Sequence, residues 1–257
     1  MSEYSFLINN MTWSYTRLSS YAQCPHEWFL QYVEELKGDN NFYAEFGKFC
    51  HVILEKYAKG ELALFELVDY YDSHFDEFIG EGYGDQRDKY KTLGRLYFEN
   101  IDLDLDKYEI LGIEKKCDFQ LNGNTFTGYI DLLLKDKQTG EILLIDHKSS
   151  EYPMGKKGKI KKAEEQKFKG YKRQLYLYSL QVFNEYGVFP TKIGWNYFKS
   201  GQWLIIDFDK KEYEEALEWA KQTILEINED EEFRPNQDWF YCTHLCRFRN
   251  QYCEYRR

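Results

Sequence analysis

The chain is poor in the residues that break structure. It has 4 Pro and 17 Gly among 257 residues, which excludes a linker-rich or disordered protein. No apolar run is long enough to span a bilayer. The start, "MSEYSFLINN", lacks a basic segment followed by an apolar core, so a secretory leader is not expected. No internal repeat, low-complexity segment or G-x-x-x-x-G-K-[ST] phosphate loop is present, so any helicase motor must be a separate chain. Positive charge is in deficit: 34 Lys and Arg against 44 Asp and Glu give −10. That balance disfavours a surface coated throughout for nucleic acid. These absences together predict a soluble cytoplasmic protein with no membrane partner, whose 6 cysteines are thiols or metal ligands rather than disulfides.

Aromatic side chains are abundant, at 19%, with 23 Tyr and 19 Phe. Length and composition suit one large domain with a sizeable core. Residues 1–108 read as helical. Ser14 caps a helix through Tyr21, and Pro25 suits the first turn of the next. Phe46, Phe49, Val52, Ile53 and Tyr57 fall at helical spacing in a segment that stops at Gly60. Two further helices are expected within 61–80 and 86–100. Near Glu109 the character changes. "GIEKKCDFQL" and "TFTGYIDLLLKD" read as strands joined through "NGN", and "EILLIDHKS" as a third. A long helix over 163–185 follows, then "TKIGWNYFKS" and "QWLIIDFD" as a strand pair, then a helix over 211–227. The fold class is therefore α/β: a mixed β-sheet core flanked by helices over 109–230, an N-terminal helical region and a cysteine-rich tail over 231–257.

The run "EILLIDHKSS" carries four apolar residues into Asp146, His147 and Lys148. Alternation along a strand puts Asp146 and Lys148 on one face and His147 on the other. Asp131, after Gly128 in "GYID", lies on the neighbouring strand. Two adjacent carboxylates repel unless a cation neutralises them, and oxygen donors of this kind suit Mg²⁺ or Mn²⁺. Read alone, D-x-K is a salt bridge at a strand end.

Four short patterns appear in order: Gly47 and His51 in "GKFCH", Gly128 and Asp131 in "GYID", Asp146 and Lys148 in "DHK", and Gln174 and Tyr178 in "QLYLY". Over residues 14–180 this series resembles the PD-(D/E)xK nuclease superfamily, in its RecB-like branch. The resemblance implies a restriction-endonuclease-like fold and a metal-dependent DNA nuclease. An exonuclease acting on single strands or ends, in recombination, repair or replication, is the expected form. It implies metal binding by His51, Asp131, Asp146 and the backbone carbonyl of His147. Lys148 would be the catalytic lysine, with Gln174 and Tyr178 beside the site and the DNA. Each residue also has a plainer reading. His51 can be a half-buried histidine, and Gln174 and Tyr178 a helix face. Glu114 on the preceding strand can join the acidic cluster, but the solvated-strand reading is preferred. The alternative function is a non-catalytic DNA-binding or recombination-partner module on the same scaffold.

Cys242, Cys246 and Cys253 lie within twelve residues of the tail, and Cys24 in "YAQCPHEWFLQY" is the candidate fourth ligand. Spacing does not separate zinc from an iron–sulfur cluster. The layout is similar to CRISPR-associated iron–sulfur exonucleases and the B subunit of the AddAB helicase–nuclease, which implies a [4Fe–4S] cluster, with zinc less favoured. The spacing C-x3-C-x6-C is slightly longer than their common pattern. Cys50 and Cys117 read as core or surface thiols. Residues 155–173 hold nine Lys or Arg and two Glu. Lys156, Lys157, Lys159, Lys161, Lys162, Lys172 and Arg173 form either a solvated loop or a flap that grips DNA phosphates. Phe168 and Tyr171 in that stretch either stack on bases or pack inward.

Overall fold

A computed structural model describes residues 4–39, 42–80 and 84–255. Six helices come first: α1 (Ser5–Asn9), α2 (Tyr15–Gln23), α3 (Pro25–Tyr32), α4 (Phe42–Ala58), α5 (Leu67–Phe78) and α6 (Asp85–Glu99). Strands β1 (Tyr108–Leu121), β2 (Asn124–Asp136) and β3 (Ile142–Lys148) follow. The chain then forms α7 (Glu165–Tyr186), β4 (Lys192–Tyr197), β5 (Gln202–Asp207) and α8 (Lys210–Glu229). Ser14 caps α2 by accepting from the Arg17 N–H at 3.1 Å, and Pro25 opens α3, where its missing N–H is not needed. Gly187 closes α7 in the left-handed region, φ 72°.

The sheet order is β1-β2-β3-β4-β5. β2–β3 and β4–β5 are antiparallel. β3 and β4 are parallel and are joined through α7, the long crossover that a parallel pair requires. The sheet and helix arrangement agrees with the mixed α/β architecture expected from sequence.

The chain divides into two compact units. One, the carboxylate unit, comprises Phe42–Lys116 and Tyr129–Asp209. Its core is aromatic: Phe46, Phe49, Tyr71 and Phe75 are fully buried, with Tyr90, Tyr97 and Phe98 nearly so. Gly94 on α6 sits so close to the Tyr71 ring that any Cβ there would collide with it. The other, the cysteine unit, comprises Met1–Asn41, Cys117–Gly128 and Lys210–Arg257. Here Trp28 stacks on Phe233 with ring centroids 5.6 Å apart. Trp13 pairs with β2 through its N–H to Thr125 O and its C=O from the Thr127 N–H, both 2.8 Å. β1 and β2 supply residues to both units.

Candidate active site

All residues of the four motifs that the structure brings into polar contact belong to the carboxylate unit. β3 is buried along its length, so its charged end is fixed by a rigid apolar strand. Asp146 is 4% exposed and lies 2.6 Å from Lys148 Nζ. Lys148 also donates to Gln174 Oε1 at 3.0 Å and sits over the Tyr171 ring, 4.4 Å from its centroid. Burial opposes the charge on Lys148, but Asp146, then Tyr171 and Asp131, more than offset it, so its pKa is raised. Tyr178 is buried on α7, one turn beyond Gln174.

Asp131 on β2 accepts the His147 N–H at 2.6 Å through Oδ2. His51 on α4 faces the same oxygen: Nδ1 is 3.6 Å from Asp131 Oδ2 and 3.5 Å from Glu114 Oε1. Its other nitrogen, Nε2, is 3.1 Å from the His147 carbonyl. A carbonyl only accepts, so Nε2 carries a proton and Nδ1 is turned to the carboxylates. One helical turn earlier, Gly47 brings α4 close to the end of β3, because a Cβ there would press on Ser149 Oγ at 3.2 Å.

Glu114 corrects the sequence expectation. It is not a solvated strand residue. Its carboxylate joins His51 and Asp131 in a group whose ligand atoms all lie within 4.8 Å of one another. The cause is a local left-handed backbone at Glu114, φ 43°. Such a conformation costs about 1 kcal/mol or more in a non-glycine residue. Asp146 is paired with Lys148 while its charge acts on both Asp131 and His51, and the His147 carbonyl accepts from His51.

The electrostatics follow from burying several carboxylates together. Burial, then the Asp146 charge, pushes Asp131 from 3.8 up to about 7. Burial pulls the His51 pKa down, but Glu114, Asp131 and Asp146 outweigh it and raise it. The His147 ring is held neutral, its pKa driven well below the usual value by burial and by the charges of His51 and Lys148. One imidazole nitrogen and two carboxylate oxygens, with excess negative charge, form a donor set that fits a hard divalent cation.

The basic segment is ordered at its start. Met154 and Ile160 pair across a small hairpin, with Gly158 at φ 66°. Lys156, Lys157, Lys159, Lys161 and Lys162 are exposed, while Lys172 and Arg173 on α7 are half-buried. Lys161 donates to the Tyr152 carbonyl at 2.8 Å. Phe168 packs inward against Trp195, 4.8 Å between centroids.

In the cysteine unit, Cys24, Cys242, Cys246 and Cys253 line one cavity of about 290 Å³, together with His26 and Glu27. Cys24 occupies the extended residue between α2 and α3. Cys246 ends a π-helical turn, Tyr241–Leu245. All are free thiols. Burial pushes Cys246 up to about 12, with Glu27 adding to it, and raises Cys242 and Cys253 too. Among the described residues, no three of these sulfurs lie within 4.8 Å of one another. Glu27, 7% exposed, accepts from the Tyr241 hydroxyl at 2.5 Å, a contact nothing in "CPHEWF" signals. Cys50 and Cys117 are core thiols, each 0% exposed.

The model of the PD-(D/E)XK nuclease superfamily matches residues 12–257. Among solved structures, the "Putative exonuclease" from Eubacterium rectale is similar, with a TM-score of 0.53 and 15% identity over 90% of this chain and 86% of that one. At such identity the likeness shows the fold alone. The structure of SSO0001 covers 91% of this chain and 92% of its own, at 13% identity and a TM-score of 0.35, too low to support any argument. No curated protein matches the chain.

Proposed function

The chain belongs to the PD-(D/E)XK nuclease superfamily, and we propose that it is an exonuclease that hydrolyses DNA at ends or in single strands. The observation that carries this reading is the meeting of His51, Glu114 and Asp131 beside the buried Asp146–Lys148 pair. His51 through Nδ1, Asp131 and Glu114 would hold Mg²⁺ or Mn²⁺, with Asp146 at the edge of the site. When bound, such an ion supplies Lewis-acid polarisation of the phosphodiester and a more acidic water. The protein's own part is positional. Asp146 keeps Lys148 protonated, Gln174 fixes its direction, and the ammonium is ready for the negative charge that develops at phosphorus. The exposed lysines of the 154–160 hairpin would grip the phosphate backbone.

The same proposal assigns Cys24, Cys242, Cys246 and Cys253 to a [4Fe–4S] cluster. Iron and zinc analysis of anaerobically purified protein tests that assignment. A separate helicase or recombination protein would supply the ends.

End-labelled single- and double-stranded oligonucleotides, incubated with Mg²⁺ or Mn²⁺, test the activity. Shortening from an end is expected, with loss by about 10³-fold in Lys148→Ala. Equal cleavage by that variant sinks the assignment.

A further inference from the structure

A buried polar chain crosses the aromatic core behind the site. Tyr97 on α6, Asn196 on β4 and His147 on β3 are 3%, 0% and 5% exposed. Asn196 Nδ2 lies 2.5 Å from Tyr97 Oη and 3.1 Å from His147 Nδ1. Asn196 and His147 are register partners across the parallel pair, so the bridge is built into the sheet. Phe198 closes over it, stacked on His147 at 5.9 Å and edge-on to Tyr97 at 5.2 Å.

Apolar residues of the same shape would fill this space without desolvating three polar side chains. The arrangement is not even self-sufficient, because Asn196 Oδ1 is buried without a hydrogen-bond partner. Stability alone therefore does not account for it.

His147 is where the chain meets the site. Its ring points away from Asp146 and Lys148, as strand alternation requires. Its backbone faces two other site groups. The N–H donates to Asp131 Oδ2 at 2.6 Å, and the C=O accepts from His51 Nε2 at 3.1 Å. One residue thus orients both side chains, and the Asp131 oxygen it holds, Oδ2, faces His51 Nδ1 at 3.6 Å.

We propose that Tyr97, Asn196 and the His147 ring are positioning residues for the divalent metal site, locking the backbone of residue 147 so that Asp131 and His51 are held for one ion. None of the three side chains touches the reacting atoms. The inference rests on the reading of His51 and Asp131 as metal ligands. Groups that orient metal ligands from behind are worth about 10- to 100-fold in metal affinity.

The test is Mn²⁺ binding to the full chain by calorimetry without DNA, then cleavage across Mn²⁺ concentrations. Asn196→Leu is expected to weaken Mn²⁺ binding about 10-fold or more. Tyr97→Phe keeps the ring and is expected to weaken it by about 3-fold. In both, cleavage should return close to the wild-type rate at saturating Mn²⁺, with metal-free DNA affinity unchanged. Wild-type Mn²⁺ affinity in both folded variants overturns the proposal. So does a rate loss that saturating Mn²⁺ leaves in place. If Asn196→Leu does not fold, Tyr97→Phe decides alone. Asp131→Ala separates the two readings: unchanged Mn²⁺ binding there refutes the metal-ligand assignment itself, whatever the positioning variants do.

Discussion

The two units prepare their sites in opposite ways. In the carboxylate unit the groups are ionisable and already held. His51 and Asp131 are tied to the backbone of residue 147, and Lys148 to Asp146 and Gln174. In the cysteine unit burial pushes the Cys242, Cys246 and Cys253 thiols toward protonation, and these three line one cavity with Cys24. The first site is assembled by the fold, and its ion relieves repulsion already present. The second, under the proposed cluster assignment, would be closed by the group it binds. Loss of the bound group should therefore damage the two units unequally.

The largest expected contrast is in stability. Cys246→Ser should abolish cluster binding and release the tail, because ligation energy is folding energy where ligands come from distant segments. Limited proteolysis should cut within 231–255 well before wild type is cut. Removing divalent ions with EDTA should leave the carboxylate unit protected. The contrast breaks if EDTA exposes both units equally, or if the serine variant resists protease as wild type does.

A smaller effect concerns pH, and its sign follows from two raised pKa values. Asp131 rises from 3.8 to about 7, and His51 is raised as well. A group whose pKa is higher folded than unfolded stabilises below the unfolded value and loses that contribution as pH rises through the folded one. Asp131 thus makes the metal-free protein less stable as pH climbs from 3.8 through about 7, and His51 adds to the loss above 6.5. Asp131→Asn, which mimics the protonated carboxyl, should raise the melting temperature in EDTA near pH 8 and change it little near pH 4. Mn²⁺ binding must displace those protons, so it should tighten across the same window in wild type. Thermal melts at matched ionic strength check the first claim and calorimetry the second; a flat profile in both removes the repulsion on which the comparison stands.

How far the sequence carried these sites depends on what each residue's placement needed. The buried run Ile142–Ile145, the alternation of Asp146 and Lys148, and the helical spacing that presents His51 follow from periodicity, and the structure has them. The inward packing of Phe168 was open, since Lys167 and Lys169 flank it and its partner, Trp195, comes from β4. Glu114 was named but ranked as solvated, because its left-handed backbone in β1 is marked by no glycine or asparagine at that position. Glu27 was missed because its partner, Tyr241, lies 214 positions away. The Tyr97–Asn196–His147 chain needed strand register, which no local pattern encodes. Motifs report what chemistry needs; the groups that orient the motif residues are set by tertiary packing.

The smallest expected effect asks which unit grips DNA. Lys156, Lys157 and Lys159 are exposed on the hairpin of the carboxylate unit. Each cation on a phosphate of single-stranded DNA contributes about 0.7 to the slope of log affinity against log salt. Replacing all three by alanine should lower that slope by about 2 and weaken binding several-fold near physiological salt. Mn²⁺ affinity should be unchanged, because none of the three contacts the metal site. The competing source lies in the other unit: residues 239–253 contain Arg247 and Arg249 but no Asp or Glu, with Trp239 and Phe240 exposed. An unchanged slope in the triple variant would move the phosphate grip there, and Arg247→Ala with Arg249→Ala would then carry the lost slope instead. In that outcome the division of labour would reverse: the carboxylate unit would keep only the chemistry, and the cysteine unit would hold the strand.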